Sequence, residues 1–374
     1  MSKLVVSYGI EPKDMVREAL AAIGAASTIN SKDKIGIKPN LVVDQPAALG
    51  ATTSVKVVAG IIEYLQSAGC HNIIVLESSS IGHSTARAFS VCGYDKLAAQ
   101  YGVELVNLKK DKTATVTTAD LNIAVCRTAL ELDYLINVPV LKAHCQTDLT
   151  CALKNLKGCI PDREKRRFHS LGLHRPIAAL NTALKSNLVV VDGMCGDLTF
   201  EEGGNPVPMN RIIVGFDPVL VDAYAAELIG LDPSSIEYIT LAEQFGVGSA
   251  DLKKAEIIEL GTDKHQPVPI PTSPLARQLS KYIDARSACS ICYGSLIHAL
   301  ARLKEDRLLN QLPEKIKIGQ EFSGRKEDGV GIGACTAGIS CNLPGCPPKA
   351  KEIVEFLRAN ITPVASFAAA SSPQ

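Results

Sequence analysis

The sequence predicts an α/β protein, with a mostly parallel sheet covered by helices on both faces, followed by a small cysteine-rich helical domain. Three observations lead there. Short apolar runs of strand length alternate with amphipathic stretches of helical length through the first two thirds of the chain, the pattern of βαβ units and a parallel sheet. The segment from His265 to Pro274 holds four prolines in ten residues, which reads as a semi-rigid, extended linker. Five of the twelve cysteines fall in the final quarter, beyond that linker. The 374 residues therefore divide into an α/β domain over 1–262, a linker over 263–275, a cysteine-rich domain over 276–360 and a tail over 361–374 whose small, polar composition predicts disorder.

The elements follow in order. Leu4 to Tyr8 reads as a first strand and Asp14 to Ile23 as an amphipathic helix. Lys34 to Lys38 is a strand stopped at Pro39-Asn40. After a long loop, Ser54 caps a helix running through Leu65, which Gly69 ends. Asn72 to Leu76 is a buried-type strand with Glu77 at its carboxyl end, and a serine-rich loop comes next. Helices are expected over Thr85–Phe89 and Tyr94–Tyr101, and strands over Val103–Val106 and Leu121–Val125. Tyr134 to Val138 is a strand, and Asn137 and Pro139 turn the chain out of the sheet. Asp148 reads as the cap of a helix over Leu149–Leu156, stopped by Gly158 and Pro161. Asp162 to His169 (DREKRRFH) reads as a charged loop, either a solvated turn or a flap over a site. A helix over His174–Leu184, a strand over Leu188–Val191 closed by Asp192-Gly193, and a strand over Arg211–Val214 come next. Two helices, Leu220–Ile229 and Ile236–Glu243, and an edge strand, Ala255–Leu260, complete the first domain. Beyond the linker, helices over Leu275–Ile283, Ile291–Leu303 and Lys349–Leu357 flank a polar stretch.

Lys+Arg and Asp+Glu both number 39, so the net charge is zero. A nucleic-acid or anionic-membrane partner would need a basic excess. Apolar residues at 46% and charged residues at 21% are ordinary for a globular protein. No stretch has the length of a membrane span, and the N-terminal residues hold no apolar core of signal-peptide length. A cytoplasmic location is the expectation, and a reducing compartment disfavours disulfides. The seven cysteines scattered through the first two thirds read as small buried hydrophobes.

In a doubly wound sheet, ligands sit beyond the carboxyl ends of the strands. There the sequence places Lys38 and Asn40, Glu77 and Ser78, Lys142 and His144, and Asp192, with Lys154 and Asn155 on the helix after Asp148. His144, Lys142 and Glu77 are the candidate catalytic groups, His144 being able to move a proton near neutral pH. Lys38, Asn40, Ser78, Lys154, Asn155 and Asp192 are the candidate substrate-binding groups. The start of the helix after Asp148 offers free N–H groups to an anion, and the lysines add positive charge. An anionic small molecule is the expected ligand. Each residue also has a plain structural alternative: Lys38 as a strand cap, Glu77 in an ion pair with Lys142, His144 as a core histidine. There is no Walker loop, no Gly-x-Gly-x-x-Gly after a strand and no Gly-x-Ser-x-Gly elbow, so a dinucleotide-type assignment is not supported.

The late cysteines carry a second chemistry. Cys289 and Cys292 form a C-x-x-C pair at a helix start, Cys335 lies in Gly-Ile-Gly-Ala-Cys, and Cys341 and Cys346 lie in CNLPGCPP. Neighbouring glycines and the proline after Cys346 suit an iron–sulfur loop. Cys289, Cys292, Cys335 and Cys346 are the expected ligands of one 4Fe–4S cluster, with Cys341 as the spare. Tetrahedral zinc suits the same thiolate set. The Gly-Cys-Pro-Pro ending is similar to the cluster loop of hydrogenase small subunits and complex-I-type proteins.

The stretch Ile136–Pro161 also resembles the signature of the DUF362 family, Asn-x-Pro-x-Leu-Lys-x-His followed by Ala-Leu-Lys-Asn. Here these are Asn137, Pro139, Leu141, Lys142, His144 and Ala152 to Asn155. Further family marks are Ile37-Lys38-Pro39-Asn40, Val191-Asp192-Gly193 and the run Asp217 to Ala223, and the similarity extends from about Lys34 to Gly248. One segment departs from the pattern. Where many members carry Asp/Glu-Gly-Pro, this chain has Glu201-Glu202-Gly203-Gly204-Asn205-Pro206. The resemblance implies the α/β fold and a strand-end site. It also implies likeness to the lactate-racemase fold, and through it a hydroxy acid or organometallic cofactor with His144 as acid or base. Three functions are therefore open. One is an iron–sulfur oxidoreductase or electron-transfer protein with an anionic substrate or a redox partner protein. Another is a non-redox isomerase with a structural metal domain. The third is a zinc-stabilised binding module.

Overall fold

The computed structural model describes residues 2–118, 121–199, 201–261, 268 and 275–360. The chain forms two units, dividing between Pro274 and Leu275. The proline-rich linker expected over 263–275 lies, apart from Val268 and Leu275, outside the described residues, as does the expected tail over 361–374. Among the described residues, no helix is long and apolar enough to cross a membrane.

The strands of the first unit are β1 (Lys3–Tyr8), β2 (Ile35–Pro39), β3 (Ile73–Glu77), β4 (Glu104–Asn107), β5 (Thr113–Thr118), β6 (Leu121–Cys126), β7 (Tyr134–Val138), β8 (Lys142–His144), β9 (Asp148–Thr150), β10 (Leu188–Asp197), β11 (Pro206–Gly215) and β12 (Glu256–Leu260). Eight of them make one sheet in the order β12-β1-β11-β10-β7-β2-β3-β4. Within it β11 runs antiparallel to β1 and β10, and every other pairing is parallel. Successive side chains on a strand face opposite sides of a sheet. Thus Val5, Ile73, Val75, Leu188 and Val190 pack into one apolar core, while Leu4, Val6, Ile74, Leu76, Val189 and Val191 pack into another. Strands buried on both faces are continuous apolar runs, which is why their existence was legible.

Helices α1 (Pro12–Ile23), α2 (Val55–Ser67), α3 (Thr85–Val91) and α4 (Tyr94–Tyr101) supply the first core. They are followed by α5 (Arg127–Leu130), α6 (Ala152–Asn155), α7 (Asp162–Ser170), α8 (His174–Ala183), α9 (Pro218–Leu228) and α10 (Glu237–Gln244), most of which cover the other face. Val268 is buried in that second core.

Three local expectations are corrected. Asp148 caps no helix. It adopts a left-handed φ of 59° and sits at the turn of the β8–β9 hairpin, in which Lys142 pairs with Thr150 and His144 with Asp148. The helix expected over Leu149–Leu156 begins only at Ala152 and continues as a 3-10 turn through Cys159. The charged stretch Asp162–His169 is not a loop but α7, with Glu164, Lys165 and Phe168 on its buried face. Leu188–Val191 and Arg211–Val214 are parts of one long β10–β11 hairpin that continues through Gly193, with an irregularity between Gly193 and Cys195.

The second unit carries helices, as expected, and also a sheet. Its helices are α11 (Leu275–Leu279), α12 (Ser290–Glu305) and α13 (Ala350–Asn360). The polar stretch between them holds β14 (Ile316–Ile318), β15 (Glu327–Ile332) and β16 (Ile339–Leu343). With β13 (Ile283–Ala285) these form an all-parallel sheet in the order β13-β14-β15-β16. Leu296, Ile297, Leu300, Leu303, Ile353 and Leu357 bury the helix faces.

Candidate functional site

From β2 the chain crosses to β3 on one side and later returns to β7 on the other. The β2–β7 boundary is therefore the switch point, where an open sheet leaves a crevice. Lys38 pairs with Asn137 and Pro39 with Val138 in the ladder there. Each strand then reaches a proline, Pro39 and Pro139, which has no N–H to continue the pairing.

The strand-end residues separate into groups. Lys38 is fully buried and donates to Pro39 O (2.8 Å), Glu77 Oε2 (2.9 Å) and Asn155 Oδ1 (3.3 Å), so its three protons are all engaged. Glu77 also accepts from the backbone N–H of Leu41 (2.9 Å) and Ser78 (2.7 Å). Its ion-pair partner is thus Lys38, not Lys142. Gly158 lies against the pair, and a Cβ there would collide with Glu77 Oε1 and the Lys38 ammonium. Asn155 donates to Asn137 Oδ1 (2.8 Å), tying α6 to β7. Asn40 holds its own loop, with its backbone N–H on Thr53 Oγ1 (2.8 Å). Ser78 belongs to a second lysine: buried Lys165, from α7, donates to Ser78 Oγ (2.6 Å), Ser78 O (2.8 Å) and Ser79 O (2.8 Å). Burial draws the Lys165 pKa down to about 8. Asp192 accepts from Ser54 N (2.6 Å) and Met194 N (3.0 Å), and burial pushes its carboxyl up to about 6.

Lys142, His144 and Lys154 come together. The fold brings to them a residue that sequence reading did not select, Glu201, from the β10–β11 connection. Lys154 donates to Glu201 Oε1 (2.7 Å) and to Thr150 Oγ1 (3.1 Å). His144 Nδ1 accepts the backbone N–H groups of Gln146 and Thr147, both at 3.0 Å. The imidazole proton is therefore on Nε2, which faces Glu201 Oε2 at 2.7 Å. That approach is short but poorly aligned, giving Coulomb attraction more than a linear hydrogen bond. Lys142 donates to the backbone oxygens of Ala51 (2.7 Å) and Glu201 (2.8 Å).

Charge in this group is set by burial against partners. Burial lowers Lys142 to about 7, with Glu201 resisting. It lowers His144 to about 4, again against Glu201. Burial would raise the Glu201 carboxyl, but His144 and Lys154 outweigh it and hold it well below the usual carboxylate range. The neighbouring Glu202 is pushed up to about 8 by burial and by Glu201. His169 of α7 joins the group electrostatically. Burial, then Lys157, keep it neutral, and its Nδ1 is buried without a hydrogen-bond partner among the described residues.

The helix start expected to offer free N–H groups is filled from within. Asp222 of α9 accepts from Ala152 N (2.6 Å) and Leu153 N (3.1 Å), and its buried carboxyl is raised to about 7. Asp222 lies in the Asp217–Ala223 run, and Glu201 in the segment noted only as a departure. Neither signal says what the side chain meets.

In the second unit, Cys289, Cys335 and Cys346 each follow the carboxyl end of a parallel strand, β13, β15 and β16, and Cys292 lies in the first turn of α12. Cys341 is within β16, paired with Val330, and its thiol meets Asn360 Oδ1 at 3.3 Å. Thiols that follow the carboxyl ends of parallel strands suit iron–sulfur or zinc chemistry. Among the described residues, no three His, Cys, Asp or Glu side chains have closed into a metal-holding group.

Comparison with known proteins gives three findings. The family model described as "Domain of unknown function (DUF362)" matches residues 35–227. "Thylakoid-associated protein sll1697" of Synechocystis sp. is 24% identical over 231 residues, which cover 60% of this chain and 71% of that protein. The lactate racemase apoprotein from Thermoanaerobacterium thermosaccharolyticum is similar at a TM-score of 0.42 and 11% identity, over 61% of this chain and 57% of the racemase chain.

Proposed function

Because the chain belongs to the DUF362 family, whose name assigns no activity, we propose a function from its site: an iron–sulfur oxidoreductase or electron-transfer protein acting on an anionic small molecule at the strand ends of the large sheet. The observation that carries this reading is the buried group in which Lys154 and His144 share one carboxylate while Lys142 closes the same loop. Buried cations exist only with a counter-charge; Glu201 supplies it here, and an anionic ligand would meet the same groups. Lys154 binds it, Lys142 orients what adjoins it, and neutral His144 presents an N–H. A 4Fe–4S cluster on Cys289, Cys292, Cys335 and Cys346 would supply single electrons, exchanged with a redox partner protein. The strand-end placement of three of these cysteines, and the mid-strand placement of Cys341, support that choice.

One observation favours the non-redox alternative, an isomerase with structural zinc. Lys142, with a pKa of about 7, exchanges a proton at neutral pH without any redox centre. Anaerobic purification followed by iron, acid-labile sulfide and zinc analysis separates the two. The redox reading expects about four iron and four sulfide, lost in Cys346→Ser and kept in Cys341→Ser; stoichiometric zinc without sulfide selects the alternative. For the cleft, a thermal-shift screen of small carboxylates and phosphates should find a stabilising anion whose effect falls about tenfold in Lys142→Ala.

A further inference from the structure

We propose that the strand-end site is a carboxylate site whose resting occupant is the chain's own Glu201, and that a small-molecule carboxylate binds by displacing that side chain. The inference rests on the anion-site reading above and names the ligand class.

Glu201 meets its partners as a free carboxylate would. Each oxygen faces one nitrogen: Lys154 Nζ donates to Oε1, and His144 Nε2 approaches Oε2, both at 2.7 Å. One polar contact on each of the two oxygens of a planar group suits a carboxylate; a phosphate has a third and fourth oxygen to satisfy. The group is also layered by exposure. The His144 and Lys154 side chains are 0% and 4% exposed, whereas Glu201 is 12% exposed. Glu201 is therefore the most exposed side chain of the three.

The backbone under Glu201 is held independently of its side chain. Asp197 accepts Thr199 N (2.7 Å) and Asn205 N (2.8 Å), pinning the two ends of the connection. Gly204 N donates to Leu49 O (3.1 Å). Gly203, at φ 78°, lies so near Leu49 that a Cβ would strike its carbonyl oxygen. Lys142 grips the Glu201 carbonyl, not its carboxylate. Side-chain rotation alone thus releases Lys154 and His144 while the loop and Lys142 stay in place. Leaving Lys154 buried without a counter-ion is costly, so the carboxylate leaves only as another anion arrives.

Acetate and inorganic phosphate, titrated calorimetrically into the full-length protein, provide the test. In Glu201→Ala, acetate should bind at least about tenfold more tightly than in the unmodified chain, phosphate more weakly than acetate, and Lys154→Met added to Glu201→Ala should abolish acetate binding. If Glu201→Ala does not fold, Glu201→Gln, which keeps the shape without the charge, should show the same order with a smaller gain. Equal acetate affinity with and without Glu201 overturns the displacement. Phosphate binding above acetate in the variant overturns the carboxylate assignment but leaves an anion site. No binding of either anion, in a folded variant, overturns both the proposal and the anion-site reading beneath it.

Discussion

His144 shows how one buried side chain sets a pH response. Its folded pKa of about 4 lies below the free value of 6.5, chiefly through burial. Between those values the unfolded chain takes up a proton that the folded chain refuses, so the unfolded state binds more protons and stability falls as pH drops from 6.5 to 4. The contribution is fully present above 6.5. His144→Asn keeps an acceptor for the Gln146 and Thr147 N–H groups but does not titrate. Its melting temperature should therefore fall less steeply across that window than that of the unmodified protein, in a thermal scan against pH. At this scale, the sequence revealed residue types more readily than their partners. Lys142, His144 and Lys154 were legible as a basic set. Glu77 was not legible as Lys38's partner, because that pairing depends on β2 and β3 lying side by side. Glu201 was hidden more deeply: only the β10–β11 hairpin returns it to a stretch some fifty residues earlier.

Among the elements, α6 depends most on a remote residue. Its first two N–H groups have one carboxylate, Asp222, as acceptor. Asp222→Ala should lower the unfolding free energy by about 1–3 kcal/mol, the cost of leaving buried donors unsatisfied, read as a shift of the urea midpoint. Asp222→Asn, with one acceptor oxygen, should recover part of it. Strand existence was legible wherever both faces are buried. The β8–β9 hairpin was not, because its strands are three residues each and β9 opens on a left-handed aspartate. Helix α7 was misread because its buried face carries charge. Lys165 is inside by donating to three oxygens of Ser78 and Ser79, beside its i,i+3 partner Asp162, and nothing local announces the serine acceptors. The second unit's strands were missed for a related reason: β15, EDGVGI, has two acidic residues and two glycines among its six.

For the whole molecule, the two apolar cores of the large sheet lie within residues 4–268. A fragment ending at Pro274 should fold alone, as an element set with its own core does, giving a cooperative melt by circular dichroism. One ending at Gly261 lacks Val268, whose full burial contributes roughly 1.5–3 kcal/mol, and should melt lower. Sheet order has a kinetic consequence as well. Of the eight strands, β10 and β11 alone are joined as a hairpin; the parallel pairings all wait on a crossover. A hairpin closes in microseconds, whereas contacts distant in sequence carry a larger loop-closure entropy. This hairpin is also central, with β1 adding on one side and β7 on the other. Refolding should therefore start there. In pulse-labelled hydrogen exchange, the amides of Val190 and Ile213 should gain protection before those of Ile37 and Val75. The connection that carries Glu201 would then be in place before β2 or β3 has been added to the sheet.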